Sequence, residues 1–337
     1  MKKTLIPFLS TCFCCNFFIF LLFYSKECIS LASNGLLIWY RNMIPSLFPF
    51  MVLSGFMIRT GLSLKIGHWL QPILGFFFHL PSQMLYAIFM GFLCGFPMGA
   101  KIVADLLEKE QITKKEGEYL LSFCNNIGPL YMLGYVIPLF GYENTWKILG
   151  FMYLIPLIYG LFLRYYSLVF SFLFRSFISK PISKNTLSVC SYPSNLYRSP
   201  NYLVCFQQSL SSAIEQITLL GGCMVFFNCL LIFPEILDNY LTKTTFSLYS
   251  PLLSGILCSL IEIGGGLKQL AFISSETSCL SIPIFVPLSL LTFGGLSCIA
   301  QTCFILKNTD LKIGTYIKHK FIQTCIFIFV IFVTTVL

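Results

Sequence analysis

GFLCGFPMGAKIVADLLEKEQITKKEGEYLLSFCNNIGP, residues 91–129, starts as membrane-type apolar sequence and breaks at a Gly/Pro cluster. It then runs through charged and amphipathic residues and breaks again at Asn125-Asn126-x-Gly128-Pro129. Ile102, Val103, Leu106 and Leu107 fall on one helical face, with Asp105, Glu108 and Lys109 on the other. Thr113-Lys114-Lys115-Glu116 fits a capping box and predicts a new helix from about Lys114. Pro129 suits the first turn of a further helix, so Leu130–Phe140 is expected to re-enter the membrane. Soluble proteins rarely need this pattern; transporters with interrupted helices do.

The rest of the chain agrees. Its 337 residues are 56% hydrophobic and 10% charged, with mean hydropathy +0.81. Soluble domains carry about 25% charged residues, so this is an integral membrane protein. A bilayer core needs about 20 apolar residues per helix, and the sequence holds about eight to ten candidate runs. The 36 Phe and 17 Tyr suit a lipid-facing surface with interfacial rings. The net charge of +9 sits in short loops, where Lys and Arg set orientation, so nucleic-acid binding is the weaker explanation. Most of the fifteen cysteines lie in apolar runs, where small buried hydrophobes are expected. Cys12, Cys14, Cys15, Cys94, Cys223, Cys229, Cys298, Cys303 and Cys325 are of this kind, and no spacing fits a zinc site.

Leu5–Tyr24 is read as a first span with a cytoplasmic N-terminus; its length exceeds a usual signal-peptide core. Leu36–Ile58 is the second, with Pro45 and Pro49 at its centre as either a plain kink or a substrate-lining bend. Ile66–Leu80 and Met84–Phe96 form a hairpin or two tilted spans, with Ser82 placed to cap the second piece. Trp146–Leu163 spans back, and the basic, Ser/Pro/Asn-rich Arg175–Asn201 is a cytoplasmic linker dividing the chain into halves. Val204–Phe233 carries Gln208, Ser211, Ser212 and Glu215 on one face. Phe246–Ile261 and Ile282–Leu306 are further spans. Lys307, Lys312, Lys318 and Lys320 mark a cytoplasmic loop before the last, Phe321–Leu337.

Counting crossings leaves one conflict: a single crossing at Ile282–Leu306 places those four lysines outside. One extra crossing, or a re-entrant piece within Gly264–Ser281, removes it, and Gly264-Gly265-Gly266 favours re-entry. The second half then follows the first: a Gly-rich break, and about thirty residues later a Phe with a Gly- or Asn-rich motif. Gly91-x-Leu93-Cys94 aligns with Gly255-x-Leu257-Cys258. Broken helices at corresponding positions are how repeat-built transporters form their sites.

No nucleophile elbow, Walker loop, dinucleotide fingerprint or HExxH motif is present, so no enzyme and no cofactor are expected. Gly95–Ala100, Asn125–Pro129 and Gly264–Gly266 instead each pair a break with a helix start, an arrangement suited to an anionic ligand. The candidate substrate-binding residues are Gly95, Pro97, Gly99, Lys101, Asn125, Asn126, Gly128, Pro129, Glu262, Gly265, Lys268, Ser297 and Gln301. Lys101 and Lys268 either complement ligand carboxylates or snorkel to the interface. An acid at membrane depth needs a partner or a wet cavity, and a Glu262–Lys268 pair satisfies both residues without a ligand.

Pro45-Ser-Leu-Phe-Pro-Phe50, Gly95-Phe-Pro-Met-Gly-Ala-Lys101, Glu116-x-Glu-x-Leu-Leu-Ser-Phe123 and Asn125-Asn-x-Gly-Pro129 resemble the YlbJ family of sporulation integral membrane proteins. That family belongs to a nucleoside-recognition or Gate-domain group similar to concentrative nucleoside transporters. Phe293-Gly-Gly-Leu-Ser297 with Gln301 is similar to its second-half motif, so the resemblance runs from about Asn42 to Gln301. Cys94 stands where it implies a small hydroxyl residue.

The resemblance implies an endospore former, the mother-cell-derived outer forespore membrane, and movement of dipicolinate, a compact aromatic dianion. The expected fold is an all-α membrane protein of about 8–10 transmembrane helices, some broken or re-entrant, arranged as two structural repeats. The expected organisation is an N-terminal span and outer loop (1–35), a first Gate-like half (36–174), a basic linker (175–203), a second half (204–306), and a loop with the C-terminal span (307–337). The expected partners are the lipid bilayer and a small anionic metabolite, with a homo-oligomer allowed. A nucleoside-type transporter and a non-transporting scaffold recruiting partners through Gly99–Phe123 are the alternatives.

Overall fold

The computed structural model describes residues 2–142, 145–175, 201–243, 250–276 and 282–336, and every regular element among them is helical. Five helices are long and apolar enough to cross a bilayer: Ser25–Thr60, Thr145–Tyr166, Tyr202–Leu241, Phe285–Asn308 and Ile313–Thr334. Leu62–Phe78 and Ser82–Cys94 form a pair bent by 90°, and Cys14–Phe23, Pro129–Phe140 and Ser250–Ile261 are shorter apolar helices. These pieces account for the apolar runs of the sequence, and the chain is an all-α membrane protein with interrupted helices. The basic linker lies outside the described residues.

Ser25–Thr60 is continuous through a wide π turn at Trp39–Met43, just ahead of Pro45, with Pro49 inside the following helix. Proline removes a backbone donor and crowds the preceding turn, which accounts for a distortion at this point. The helix packs along Tyr202–Cys229, where Trp39 donates its indole N–H to the Ile217 carbonyl at 2.8 Å.

Two helical hairpins organise the interior. The first joins Ser82–Cys94 to Met98–Glu108 at the tip Gly95-Phe96-Pro97. Its arms are about 20 and 17 Å long at 1.5 Å per residue, well short of a 30 Å hydrocarbon core. The second joins Ser250–Ile261 to Ile263–Glu276 at Glu262. Gln269 donates to Ser254 Oγ at 3.4 Å, and a Cβ on Gly266 would overlap the Ser259 nitrogen, so the arms run antiparallel. Phe246–Ile261, expected as a full span with re-entry confined to Gly264–Ser281, is instead represented by Ser250–Ile261, a 12-residue arm of this hairpin.

Each tip docks on a broken crossing. In the first half the break is Ser122–Gly128, between Lys114–Leu121 and the helix opening at Pro129. Gly95 has φ +81°, and a Cβ there would overlap the Gly128 nitrogen; one on Gly91 or on Gly99 would lie 2.5 Å from the Cys124 carbonyl oxygen. In the second half Phe285–Phe293 and Gly295–Ile305 meet at Gly294, φ +88°. A Cβ on Gly295 would lie 2.9 Å from the Ser259 carbonyl oxygen. Hairpin then broken crossing therefore recurs in both halves.

The Thr113–Glu116 capping box forms as expected, with Glu116 Oε2 accepting from the Thr113 N–H at 2.7 Å. Four further expectations change. Ser82 does not cap its helix; its hydroxyl lies 3.1 Å from His68 Nδ1 and donates to Gln71 Oε1 at 3.3 Å, tying the bent pair together. The last helix begins at Ile313, so Lys318 and Lys320 lie on it and not in a loop. Glu262 and Lys268 do not pair, because Lys268 points to the exterior. Cys14, Cys15, Cys303 and Cys325 are exposed on apolar helices, whereas Cys94, Cys223 and Cys298 are buried as expected.

Candidate functional site

The two tips and both breaks meet at one small cavity of about 40 Å³. The first hairpin contributes Cys94 and Phe96, the first break Ile127 and Gly128, and the helix after it Tyr131. Glu262 and Ile263 come from the second tip, and Cys298 and Gln301 from the helix after Gly294. Ser46 and Leu47 of the proline helix and Leu220 and Met224 of the long second-half helix complete the wall. Such a volume holds a few waters at most.

The helix starts at both tips are filled from within. Asn125 is fully buried; its Oδ1 accepts from the Ala100 N–H at 3.3 Å, and its Nδ2 reaches Thr302 Oγ1 (3.2 Å) and the Tyr316 hydroxyl (3.1 Å). It caps the second arm of the first hairpin and ties the first break to the second half. Glu262, 2% exposed, accepts from the N–H groups of Gly264 (3.1 Å) and Gly265 (2.6 Å) and from Asn228 Nδ2 (3.3 Å). The carboxylate thus occupies the positive end of its own helix. Beside it the Tyr131 hydroxyl and Asn228 Oδ1 are buried without a hydrogen-bond partner among the described residues.

The remaining candidates divide. Gly95, Gly99, Gly128 and Gly265 serve close approach, since a Cβ at each meets backbone or a buried side chain. Pro97 precedes the helix Met98–Glu108, and Pro129 opens the one after the first break. Gln301 lines the cavity and donates to Ser297 Oγ at 3.0 Å. Asn126 donates to the Phe123 carbonyl at 2.5 Å. Lys101 lies elsewhere, in an ion pair with Asp105 at 2.6 Å.

That pair stands in a larger polar cleft of about 1030 Å³ whose wall includes Arg59, Lys114, Gln208, Ser212, Glu215 and Lys307. Burial raises the Asp105 carboxyl above the usual range, and Lys101 offsets part of that. Between cleft and cavity a narrow space of about 10 Å³ is lined by Met51, Ser54, Met98, Ala213 and Gln216. Residues 59, 55, 51 and 47 on one helix, and 208, 212, 216 and 220 on the other, are each four apart, so all three spaces lie along one face of each helix.

Sequence reasoning missed Lys320. It is 1% exposed, donates to Asn126 Oδ1 at 2.7 Å and Gln323 Oε1 at 3.4 Å, and stands 4.7 Å from the Phe96 ring centroid. Gln323 in turn donates to the Ser122 carbonyl at 2.8 Å. Tyr316, Lys320 and Gln323 therefore form one stripe that grips the first break. Their spacing of four and three residues, which puts them on one helix face, was the available signal.

Fold and site together define an integral membrane protein with paired re-entrant hairpins closing on a central cavity. Residues 40–143 match the Gate family, described as nucleoside recognition. Over 335 residues the chain is 28% identical to the sporulation integral membrane protein YlbJ of Bacillus subtilis (strain 168), covering 94% of this chain and 80% of that protein. The resemblance drawn from the motifs thus holds over most of the chain. No solved structure matches.

Proposed function

We propose that this protein is a sporulation-associated transporter that carries a small anionic metabolite, dipicolinate, across the outer forespore membrane by alternating access. The observation that carries the reading is the convergence of two hairpin tips and two broken crossings on one cavity, which lies on the same helix faces as a larger polar cleft. Binding at a repeat interface built of discontinuous helices is the usual transporter solution. The similarity to a sporulation membrane protein supports the setting. The tips, held to the breaks by glycine contacts, are the parts that move to admit substrate.

A nucleoside is the second reading. The Gate match favours it, as do the neutral groups of Gln301 and Ser297 at the cavity. Uptake of labelled dipicolinate and of uridine into proteoliposomes separates the two. Dipicolinate uptake competed by other dicarboxylates supports the first reading; uridine uptake alone supports the second. Folded protein that takes up neither sinks both and leaves a scaffold acting through Gly99–Phe123.

A further inference from the structure

We infer that Lys320 is the cation that receives a carboxylate of the transported anion, with the Phe96 ring as the shutter between it and the cavity. This rests on the transport reading above and names the group that makes the site anion-selective.

A charged ammonium in the interior of a membrane protein is costly unless an opposite charge or strong dipoles compensate it. Lys320 is 1% exposed, and its partners are the amide oxygens of Asn126 and Gln323 and the face of Phe96. No described carboxylate pairs with it; the ion pair that does form among the described residues is Lys101–Asp105, in the outer cleft. The two lysines that sequence reasoning placed at the substrate are otherwise engaged, Lys101 with Asp105 and Lys268 at the exterior. The N–H groups at the two hairpin tips are already met by Asn125 and Glu262. Lys320 is therefore the positive charge left near the cavity among the described residues.

Its position fits the role. Phe96 lines the cavity, and Lys320 Nζ stands over its ring. Asn126, its 2.7 Å partner, lies in the first break next to cavity-lining Ile127 and Gly128. Turning the Phe96 side chain away exposes Nζ to whatever enters, and an aromatic carboxylate then replaces both the ring and the missing counter-charge. A neutral nucleoside has no use for this group.

The test is binding to purified full-length protein of pyridine-2,6-dicarboxylate, its uncharged diamide and uridine, in wild type and two variants. Lys320→Met removes the charge at similar length. Asn126→Asp keeps the lysine but supplies an internal carboxylate, so it is expected to raise the melting temperature while weakening dicarboxylate binding. Loss of one partner of a buried charge pair is worth about a hundredfold in affinity, and both variants are expected to lose about that for the dianion and little for the diamide. A purely structural lysine gives a different result, with Asn126→Asp more stable and binding unchanged. Wild-type affinity for the dianion with both variants unaffected overturns the lysine assignment and leaves the transport reading standing. Wild type that binds only uridine, or none of the three, overturns the anionic substrate and this inference together.

Discussion

Asn125 joins three elements through one side chain, so its loss is felt as stability before it is felt as selectivity. Asn125→Ala takes a buried partner from the Ala100 N–H and the Tyr316 hydroxyl, while Thr302 keeps its bond to the Cys298 carbonyl. Unsatisfied buried groups cost about 1–3 kcal/mol each, so a loss of about 2 kcal/mol or more is expected. Thermal unfolding in detergent reads it, and an unchanged melting temperature rules this role out. The glycines at the breaks act through contact distance. Gly99→Ala puts a methyl 2.5 Å from the Cys124 carbonyl oxygen and 2.8 Å from Asn125 Cα, whereas nothing lies within 4 Å of a Cβ on Gly134. Gly99→Ala is expected to cut the yield of folded protein several-fold and Gly134→Ala to leave it intact, as read by size-exclusion chromatography; equal yields contradict the docking. These residues were legible in sequence because Gly, Pro and Asn are the residue types that interrupted helices use. What they do was read differently: backbone N–H groups reserved for a ligand turn out to be met by the chain itself.

At the scale of elements, the positions of the breaks could be read and their partners could not. A Gly/Pro cluster ends a helix wherever it occurs, so the breaks at Gly95–Ala100 and Asn125–Pro129 follow from local chemistry. Gly264–Gly266, in contrast, lies inside the helix that starts after Glu262, and Gly294 divides the expected span Ile282–Leu306. Which break meets which tip depends on contacts across the fold, such as Asn125 to Tyr316, 191 residues apart. Lys320 was misplaced for a related reason. Near the start of an apolar helix a lysine reads as loop by the positive-inside rule, and only its register with Tyr316 and Gln323 shows it facing inward. Glu262 shows the same limit. Its depth marked it as functional, but its partner proved to be the N-terminus of its own helix and not Lys268. As a cap it follows ordinary capping energetics. Glu262→Gln keeps an acceptor oxygen and is expected to stay within about 1 kcal/mol of wild type, while Glu262→Leu loses about 1–2 kcal/mol. Chemical denaturation in detergent measures both, and equal stability of the two variants denies the cap.

For the whole molecule the expectation is that the two hairpins enter from opposite faces. The base of the first lies by Lys114 and Arg59, whose side chains share the outer cleft with Lys307, and by the positive-inside rule that cleft is expected on the cytoplasmic side. The base of the second lies at the other end of the long helix pair, where Ser254 donates to the Pro234 carbonyl at 3.2 Å. A hairpin that turns back adds no net crossing, so Phe285–Asn308 is expected to run inward and return Lys307 to the cytoplasmic face. Had Ser250–Ile261 crossed completely, Lys307 would be expected outside. Single cysteines in a cysteine-free background decide between these arrangements. Lys109, Lys243 and Lys307 are exposed, so each reports without disturbing the core. A membrane-impermeant maleimide is expected to label Lys109→Cys and Lys307→Cys only when given access to the cytoplasmic face, and Lys243→Cys from the opposite face. Labelling of Lys307→Cys together with Lys243→Cys contradicts the re-entrant second hairpin and, with it, the opposed tips on which the cavity depends.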